Sequence, residues 1–351
     1  MTNWMVYGAN GYTGELIVRE AVARGQTPVL AGRSERPVAA IAAELGLEHR
    51  TFDLADAAAV DTGLEGIDLV LNCAGPFAAT SALMVEGCLR AGAHYLDITG
   101  EVDVFEHAKS LDTRAQAAGV VLCPGVGFDV IPTDCVAKAL ALALPDATHL
   151  RLGFEVGEFT LSPGTAKTVV EMFGQGGRAR VDGTLVEVPN AWKRRRVDFG
   201  NGEKWAMTLQ GGDVSTAFHS TGIGNIEVYL PVPGPAIRFV RAAKPLYALM
   251  NRPGSQRRLK KLVEKFIQGP DERARDRSPS WVWGEVENAA GEKRTARIRT
   301  ENAYSLTITG ALAVVEFLQS RSAASGYQTP SCLIGPELVT NLPGSSELVI
   351  S

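Results

Sequence analysis

Seven residues, Gly8-Ala9-Asn10-Gly11-Tyr12-Thr13-Gly14, constrain this chain more than any other stretch. Before them, Trp4-Met5-Val6-Tyr7 reads as a short buried strand. After them, Glu15 to Arg24 reads as a helix, with Leu16, Ile17, Glu20 and Ala21 at helical spacing and Gly25 as its stop. A strand, a glycine turn and a helix together aim backbone N–H groups and the positive end of a helix dipole at one point, which suits a phosphate. The glycines keep the turn tight and let a pyrophosphate approach the backbone. The spacing is G-x-x-G-x-x-G, not the G-x-G-x-x-G of the NAD fingerprint. Gly8, Asn10, Gly11, Tyr12, Thr13 and Gly14 therefore open the list of candidate cofactor-binding residues.

The alternation that follows sets the fold class. Strands are expected near 4–7, 28–31, 49–52, 68–73, 94–97 and 120–123, and helices near 13–24, 37–45, 56–63, 79–91 and 102–118. Six strands with interleaved helices predict an α/β domain built on a doubly wound parallel sheet of the Rossmann kind. Right-handed crossovers then bring the carboxyl ends of the strands to one edge, where a ligand sits.

The residues at that edge choose the cofactor. An NAD binder places Asp or Glu at the end of its second strand; here the strand runs into Ala31-Gly32-Arg33-Ser34. Arg33 puts a fork of donors where a 2′-phosphate would lie, and Ser34 adds a hydroxyl, which favours NADP(H). The same two residues also fit a solvated charge and a helix cap. Asp53, closing the third strand, fits either an acceptor for the adenine amino group or a helix-start residue. The fourth strand ends at Asn72, and Ala74, Gly75 and Pro76 form a rigid ledge where the nicotinamide ribose should pass. The fifth brings Tyr95, Asp97 and Glu101 to the same edge; Glu101 also fits a cap for the helix starting near Val102.

Past the sixth strand, Pro124 to Asp134 is a Gly- and Pro-rich crossing where the alternation stops. It reads as a hinge, with Thr133 or Asp134 capping a helix at 135–144. At 351 residues the chain has room for a second domain. Strand-like runs at 150–156 and 225–230 suggest a mostly antiparallel sheet, and 281–286 is expected to pair with 294–299 across the turn at 288–291. Between the first two runs, Gly164 to Lys167 opens a helix whose N-terminus suits an anion, with Lys167 nearby. Gly211 to His219 is the densest polar run of the domain; it reads either as cleft-lining, with Asp213 and His219 as candidates, or as an Asx-capped turn with His219 a satisfied strand residue. Between 238 and 265 there are nine Lys or Arg against one acid, Glu264, on two short amphipathic segments. They suit an acyl-chain lid, a carrier-protein dock or an anionic membrane surface, and equally a dimer contact or a solvated face. Lys193 to Arg196 is a second basic run, expected on an exposed strand or loop.

Composition narrows the classes. A net charge of −4 gives no global reason to expect nucleic acid. Five cysteines without a C-x-x-C favour reduced thiols over a disulfide frame or a zinc site, and no metal is expected. The first strand begins at once, so no signal peptide is expected, and no apolar run of about 18 residues suggests a spanning helix. The expected location is cytoplasmic, with peripheral membrane contact through 236–267 as a further option.

Taken together, the Gly8–Gly14 turn, Ala31 to Arg33, Asn72 to Phe77, His94 to Glu101 and Gly127 to Asp134 resemble the saccharopine dehydrogenase-like oxidoreductases. The resemblance is greatest to the mycobacterial trans-acting enoyl reductase branch. It extends through Ser162 to Ala166, Gly211 to Ala217 and Thr329-Pro330. It implies an N-terminal Rossmann domain (1–130), a mixed α+β substrate-binding or dimerisation domain (131–302), and a C-terminal segment (303–351) packing back on the first. It also implies hydride transfer. The reading favoured is NADP(H)-dependent reduction of the C=C of an enoyl or lipid-like acyl substrate. Reduction of an imine C=N, and a non-catalytic dinucleotide-binding scaffold or sensor at a lipid surface, stay open beside it. Tyr95, Lys167, Asp213 and His219 are the candidates for proton transfer or charge stabilisation. Expected partners are a small-molecule or acyl substrate, an acyl carrier or membrane surface at 236–267, and a second copy of the chain. The extended short-chain dehydrogenases share the glycine spacing but need Tyr-x-x-x-Lys, and none of the seven tyrosines has Lys four residues on.

Overall fold

The structure, a computed structural model, describes residues 3–157, 176–242, 255, 278–321 and 323–351. They form two units: Met1–Ile131 with Tyr304–Leu338, and Pro132–Ala303 with Val339–Ser351.

In the first unit the apolar tetrapeptides become strands because they are covered on both faces. β1 (Trp4–Tyr7), β2 (Val29–Gly32) and β4 (Leu69–Asn72) are buried at every position. With β3 (His49–Thr51), β5 (His94–Asp97), β6 (Val121–Cys123) and the short strand Gly326–Tyr327 they make one seven-stranded parallel sheet. The order is Gly326–Tyr327, β6, β5, β4, β1, β2, β3. The sheet reverses direction between β1 and β4, so the switch point lies at their carboxyl ends. Its crossovers carry α1 (Tyr12–Ala23), α2 (Glu35–Leu45), α3 (Ala57–Gly63), α4 (Phe77–Ala91), α5 (Val102–Ser110) and α6 (Asp112–Ala118). Met84, Val85 and Cys88 of α4 and Val60 of α3 pack one core with Met5, Val70, Tyr95 and Leu122 of the sheet.

Two features depart from the pattern read in the sequence. The helix expected over 102–118 is two helices, broken at Leu111. The break has a use: Asp112 starts α6 and accepts from the Tyr327 amide at 2.8 Å and from Lys109 Nζ at 2.7 Å. That carboxylate holds the seventh strand against β6, a strand of two residues that carries no periodic signal of its own.

The second unit has a mixed sheet of nine strands. β7 (Ala147–Val156), β8 (Gly177–Val181), β9 (Thr184–Val188), β10 (Arg194–Asp198), β11 (Glu203–Thr208), β12 (Asn225–Pro231), β13 (Ser280–Asn288) and β14 (Lys293–Thr300) are joined by Val349–Ile350. The path runs β10, β11, β12, β7, β13, β14, Val349–Ile350, with β8 against β12 and β9 against β8. One pairing, β12 with β7, is parallel. The β13–β14 hairpin pairs Trp281 with Arg299, and Asn288 Oδ1 accepts the Ala290 and Glu292 amides in its turn. Below the sheet lies α7 (Ile131–Ala143); a Cβ on Gly284 of β13 would stand 2.6 Å from Val136 Cγ1, so the missing side chain sets that close approach. Thr133 and Asp134 fall inside the first turn of α7 and do not precede it.

The C-terminal segment is divided between the units. Tyr304–Leu338 belongs to the first, but Val339–Ser351 belongs to the second, where Val349 pairs with Arg297 and Ile350 with Ala296. The expectation that all of 303–351 packs on the Rossmann unit is corrected by that strand pairing. The run 211–219 is likewise neither turn nor strand. It leads into α8 (Asp213–Thr221), closed by Gly222 in the left-handed conformation at φ 75°. Lys193 to Arg196 lies at the start of the edge strand β10. Of the basic segment 236–267, the described part is the end of α9 (Gly234–Ala242) and Ser255; the rest lies outside the described residues, as do Gly164 to Lys167. No helix among the described residues is long and apolar enough to cross a membrane.

Replacing Asp112 by Ala should cost about 1–3 kcal/mol of unfolding free energy in urea, because the Tyr327 amide and Lys109 lose a shared charged acceptor. Hydrogen exchange at Tyr327 should quicken more than at β1 or β4.

Candidate functional site

The glycine turn is built by exclusion. Gly8 has φ +83°, and its amide and that of Ala9 both donate to the Ala31 carbonyl, at 2.7 and 3.1 Å. A Cβ on Gly8 would stand 2.8 Å from the Ala74 amide nitrogen; one on Gly14 would stand 2.3 Å from the Gly8 carbonyl oxygen. The turn therefore lies against the end of β4 on one side and against its own helix on the other. Gly11 is the N-cap of α1 and supplies no side-chain acceptor, so Thr13 and Gly14 at the start of the helix keep their N–H groups for a ligand. The Tyr12 ring is half-buried, edge-on to Tyr304 at 5.3 Å. Asn10 Oδ1 lies 3.1 Å from where a Cβ on Gly32 would be, over the end of β2.

The other helix starts at this edge differ, and the difference is informative. At α3, Asp56 caps the Ala58 and Ala59 amides at 3.1 Å. At α4, whose N-cap is Pro76, Glu101 does the same from another loop: its carboxylate accepts from Phe77 N at 3.0 Å and Ala78 N at 2.8 Å. Ser34 at the N-cap of α2 makes no cap bond, and the neighbouring Arg33 is exposed and, among the described residues, in no ion pair. So carboxylates cap α3 and α4, whereas the N-caps of α5, and of α1 and α2 with Glu15 and Glu35 in their first turns, make no side-chain cap bond. The starts of α1 and α2 lie where a pyrophosphate and a 2′-phosphate belong. Asp53 is exposed and closes an Asx turn onto the Ala55 amide at 3.0 Å; Asp56, not Asp53, caps the helix. Tyr7 closes the same corner, its hydroxyl donating to the Phe52 carbonyl at 3.0 Å. Burial, reinforced by Asp53, pushes that hydroxyl up to about 12 although Arg33 pulls the other way.

The fourth and fifth strands carry a buried polar chain. Asn72 and Asp97 are paired in register, and Tyr95 lies on the Asp97 face two residues back. All three are fully buried. Asn72 Oδ1 accepts from the Ala74 amide at 3.0 Å, and its Nδ2 reaches the Tyr95 oxygen at 3.4 Å. Tyr95 donates to Asp97 Oδ2 at 2.7 Å. Asp97 Oδ1 accepts from the amides of Thr99 at 3.0 Å and Gly125 at 2.9 Å. Thr99 Oγ1 takes the Glu101 amide at 3.0 Å, and Glu101 returns to Phe77 and Ala78. Between the two ends of this chain lie Gly75 and Pro76, exposed and joined by a cis peptide bond.

This corrects one expectation. Tyr95 is not a group presented to substrate: it has no exposed surface, and burial, with the Asp97 charge, holds its hydroxyl well above the usual phenol range. Asp213 and His219 both lie on α8, Asp213 buried and His219 half-buried. Six residues apart on one helix, they are separated by about 9 Å along the axis and do not form a pair. Lys167 lies outside the described residues. Glu101 serves α4 where the sequence pointed to α5; Thr80, whose hydroxyl donates to the Ala74 carbonyl at 2.6 Å, had no signal beyond its place one turn into a helix. Among the described residues no group of three metal-ligating side chains occurs.

Residues 4–123 match the saccharopine dehydrogenase NADP-binding domain. The cofactor of the unit is therefore NADP(H), in agreement with Arg33 at the end of β2. The chain is 32% identical to a mouse saccharopine dehydrogenase-like oxidoreductase over 151 residues, 37% of this chain and 35% of the other. It is also 32% identical to the trans-acting enoyl reductase of Mycobacterium leprae over 139 residues, 37% of this chain and 33% of that protein. The chain thus spans about a third of the length of the relatives it matches. In fold it is similar to apo saccharopine dehydrogenase (L-Glu forming) from Saccharomyces cerevisiae, with a TM-score of 0.65 at 12% identity over 97% of this chain and 96% of that one.

Two outcomes follow. Arg33→Ala should weaken NADPH by about 10- to 100-fold, the worth of a charge-assisted phosphate contact, and NADH by less than about twofold; calorimetric titration with each measures it, and equal losses would remove the 2′-phosphate assignment. Burial pushes the Asp97 carboxyl up to about 6, against the bonds from Tyr95, Thr99 and Gly125, and Glu101 adds to the rise. From the ordinary carboxylate range up to about 6, folded protein holds a proton that unfolded chain has released. This contribution is thus fully present at low pH and is lost as pH rises through that window. The difference in unfolding free energy, native sequence minus Asp97→Asn, should fall by about 3 kcal/mol between about pH 4 and pH 7.

Proposed function

We propose that this protein is an NADP(H)-dependent oxidoreductase that reduces the C=C bond of an enoyl or other lipid-like acyl compound. The observation that carries the redox half is the NADP-binding unit itself, with no side-chain cap bond at the starts of α1 and α2, where phosphates belong. The acyl half is supported by the similarity to a trans-acting enoyl reductase and by the basic, amphipathic sequence of 236–267. Reduced nicotinamide supplies a hydride. In the reduction proposed, that hydride adds at the β-carbon, the electron pair of the double bond moves to the acyl oxygen as an enolate, and a proton returns at the α-carbon. The first unit's residues hold and orient the cofactor. With Tyr95 withdrawn into the core, the donor is sought among Lys167, Asp213 and His219 of the second unit.

The test is loss of reduced-nicotinamide absorbance when purified protein meets an α,β-unsaturated acyl thioester or, separately, a cyclic imine carboxylate. Turnover of the thioester is expected. Turnover of the imine alone would replace C=C by C=N reduction. Tight NADPH binding without turnover of either would favour a dinucleotide-bound scaffold.

A further inference from the structure

We infer that the buried chain Asn72–Tyr95–Asp97 is a positioning device that fixes the Gly75–Pro76 ledge under the nicotinamide half of the cofactor. The inference rests on the reading of the carboxyl edge as an NADP(H) site. In a doubly wound sheet the β1–β2–β3 half takes the adenosine and the half beginning with β4 takes the other nucleotide. The ledge after β4 is therefore on the nicotinamide side.

The ledge has no polar side chain with which to fix its backbone: Ala74 packs its methyl on the core, and Gly75 and Pro76 bring no donor or acceptor beyond the backbone. Its conformation must be imposed from outside. On the N-terminal side, Asn72 Oδ1 takes the Ala74 amide and Thr80 Oγ1 gives to the Ala74 carbonyl. On the C-terminal side, Glu101 takes the Phe77 and Ala78 amides. The two clamps are connected through the core, from Asn72 to Tyr95, Asp97, Thr99 and Glu101. A stepwise proton orientation follows. Asp97, with Oδ1 engaged by two amides, leaves Oδ2 as the acceptor for Tyr95. Tyr95, having given its proton, presents a lone pair to Asn72 Nδ2, which fixes the amide so that Oδ1 faces Ala74. Tyr95 and Asp97 thus act on the cofactor through Asn72 and the ledge. They are positioning residues and touch no reacting atom.

A merely structural role predicts equal damage everywhere; a positioning role predicts damage at one end of the ligand. The probes are NADPH, NADH and adenosine 2′,5′-bisphosphate, which carries the 2′-phosphate and adenosine but no nicotinamide. Each is titrated calorimetrically against the full chain and against Tyr95→Phe, Asp97→Asn and Thr80→Val. Thr80 is half-buried and Val is close to it in shape, so that variant tests the same ledge without disturbing the core. The expected result is that each variant weakens NADPH and NADH by the same factor, about tenfold, with bisphosphate affinity kept within about twofold. Tyr95→Phe combined with Asp97→Asn should lose no more than either alone, since both break one chain. Unchanged NADPH affinity in all three variants would overturn the inference, and so would a bisphosphate loss equal to the NADPH loss. If the unaltered protein bound neither NADPH nor the bisphosphate, the cofactor reading itself would fall, and this inference with it.

Discussion

The structure of the first unit depends on one close approach. The Gly8 turn lies between the Ala74 amide and the first residues of α1, with 2.8 Å and 2.3 Å where Cβ atoms of Gly8 and Gly14 would have to fit. No side chain larger than hydrogen leaves β1, β4 and α1 in these relative places. Because β1 and β4 are the strands on either side of the switch point, the same approach puts the phosphate turn and the β4 turn in contact. One edge of the sheet thereby becomes a continuous backbone floor, lined by groups that the turns cannot supply from their own side chains.

How that floor is charged follows from which helix starts are already filled. Five crossover helices, α1 to α5, begin along it, and their dipoles are equivalent in kind. Asp56 and Glu101 neutralise two of them. The three left without a side-chain cap are α5 and the two that follow Gly8–Gly14 and Arg33. A dinucleotide with a 2′-phosphate presents anionic groups at two separated points, and the starts of α1 and α2 are two separated places without a side-chain cap.

The sequence revealed this half of the molecule well because a parallel sheet covered on both faces leaves little ambiguity. Its strands are unbroken apolar runs, so 4–7 and 94–97 coincide with their predicted limits and 69–72 lies within its expected run. What stayed hidden was decided by partners far along the chain. The strand Gly326–Tyr327 exists because β6 and Asp112 receive it. Glu101 looked like a cap for its own helix, and its carboxylate instead found the start of α4, where Pro76 has no acceptor to offer. Tyr95 read as an edge residue because it is two positions from Asp97; the alternation that puts both on one face also turns that face into the core. In the second unit the strands are half-buried and their charges are paired across the sheet, as Arg151 and Arg195 are with Glu285. A polar residue there is legible as a partner of another polar residue, and a helix such as α8, with Ser215 and Thr216 fully buried, breaks the amphipathic pattern by which helices are recognised.

The buried carboxylate at Asp97 shows why the polar chain takes the form it does. Ionised at neutral pH in a site that raises its proton affinity, it costs the fold on the order of 3 kcal/mol relative to a group without that shift. An amide of the same size would avoid that cost. It would, however, offer one oxygen for the two amides of Thr99 and Gly125 and turn an NH2 group toward Tyr95. The Tyr95 oxygen would then face two donors, that NH2 and Asn72 Nδ2, and the phenol proton would have to point elsewhere. Only a group accepting on both sides lets Tyr95 donate inward and accept from Asn72. That arrangement leaves Asn72 Oδ1 free to hold the Ala74 amide. The charge is tolerated because three donors converge on it, and the direction of the hydrogen bonds from Tyr95 through Asn72 to the Ala74 amide depends on its being there.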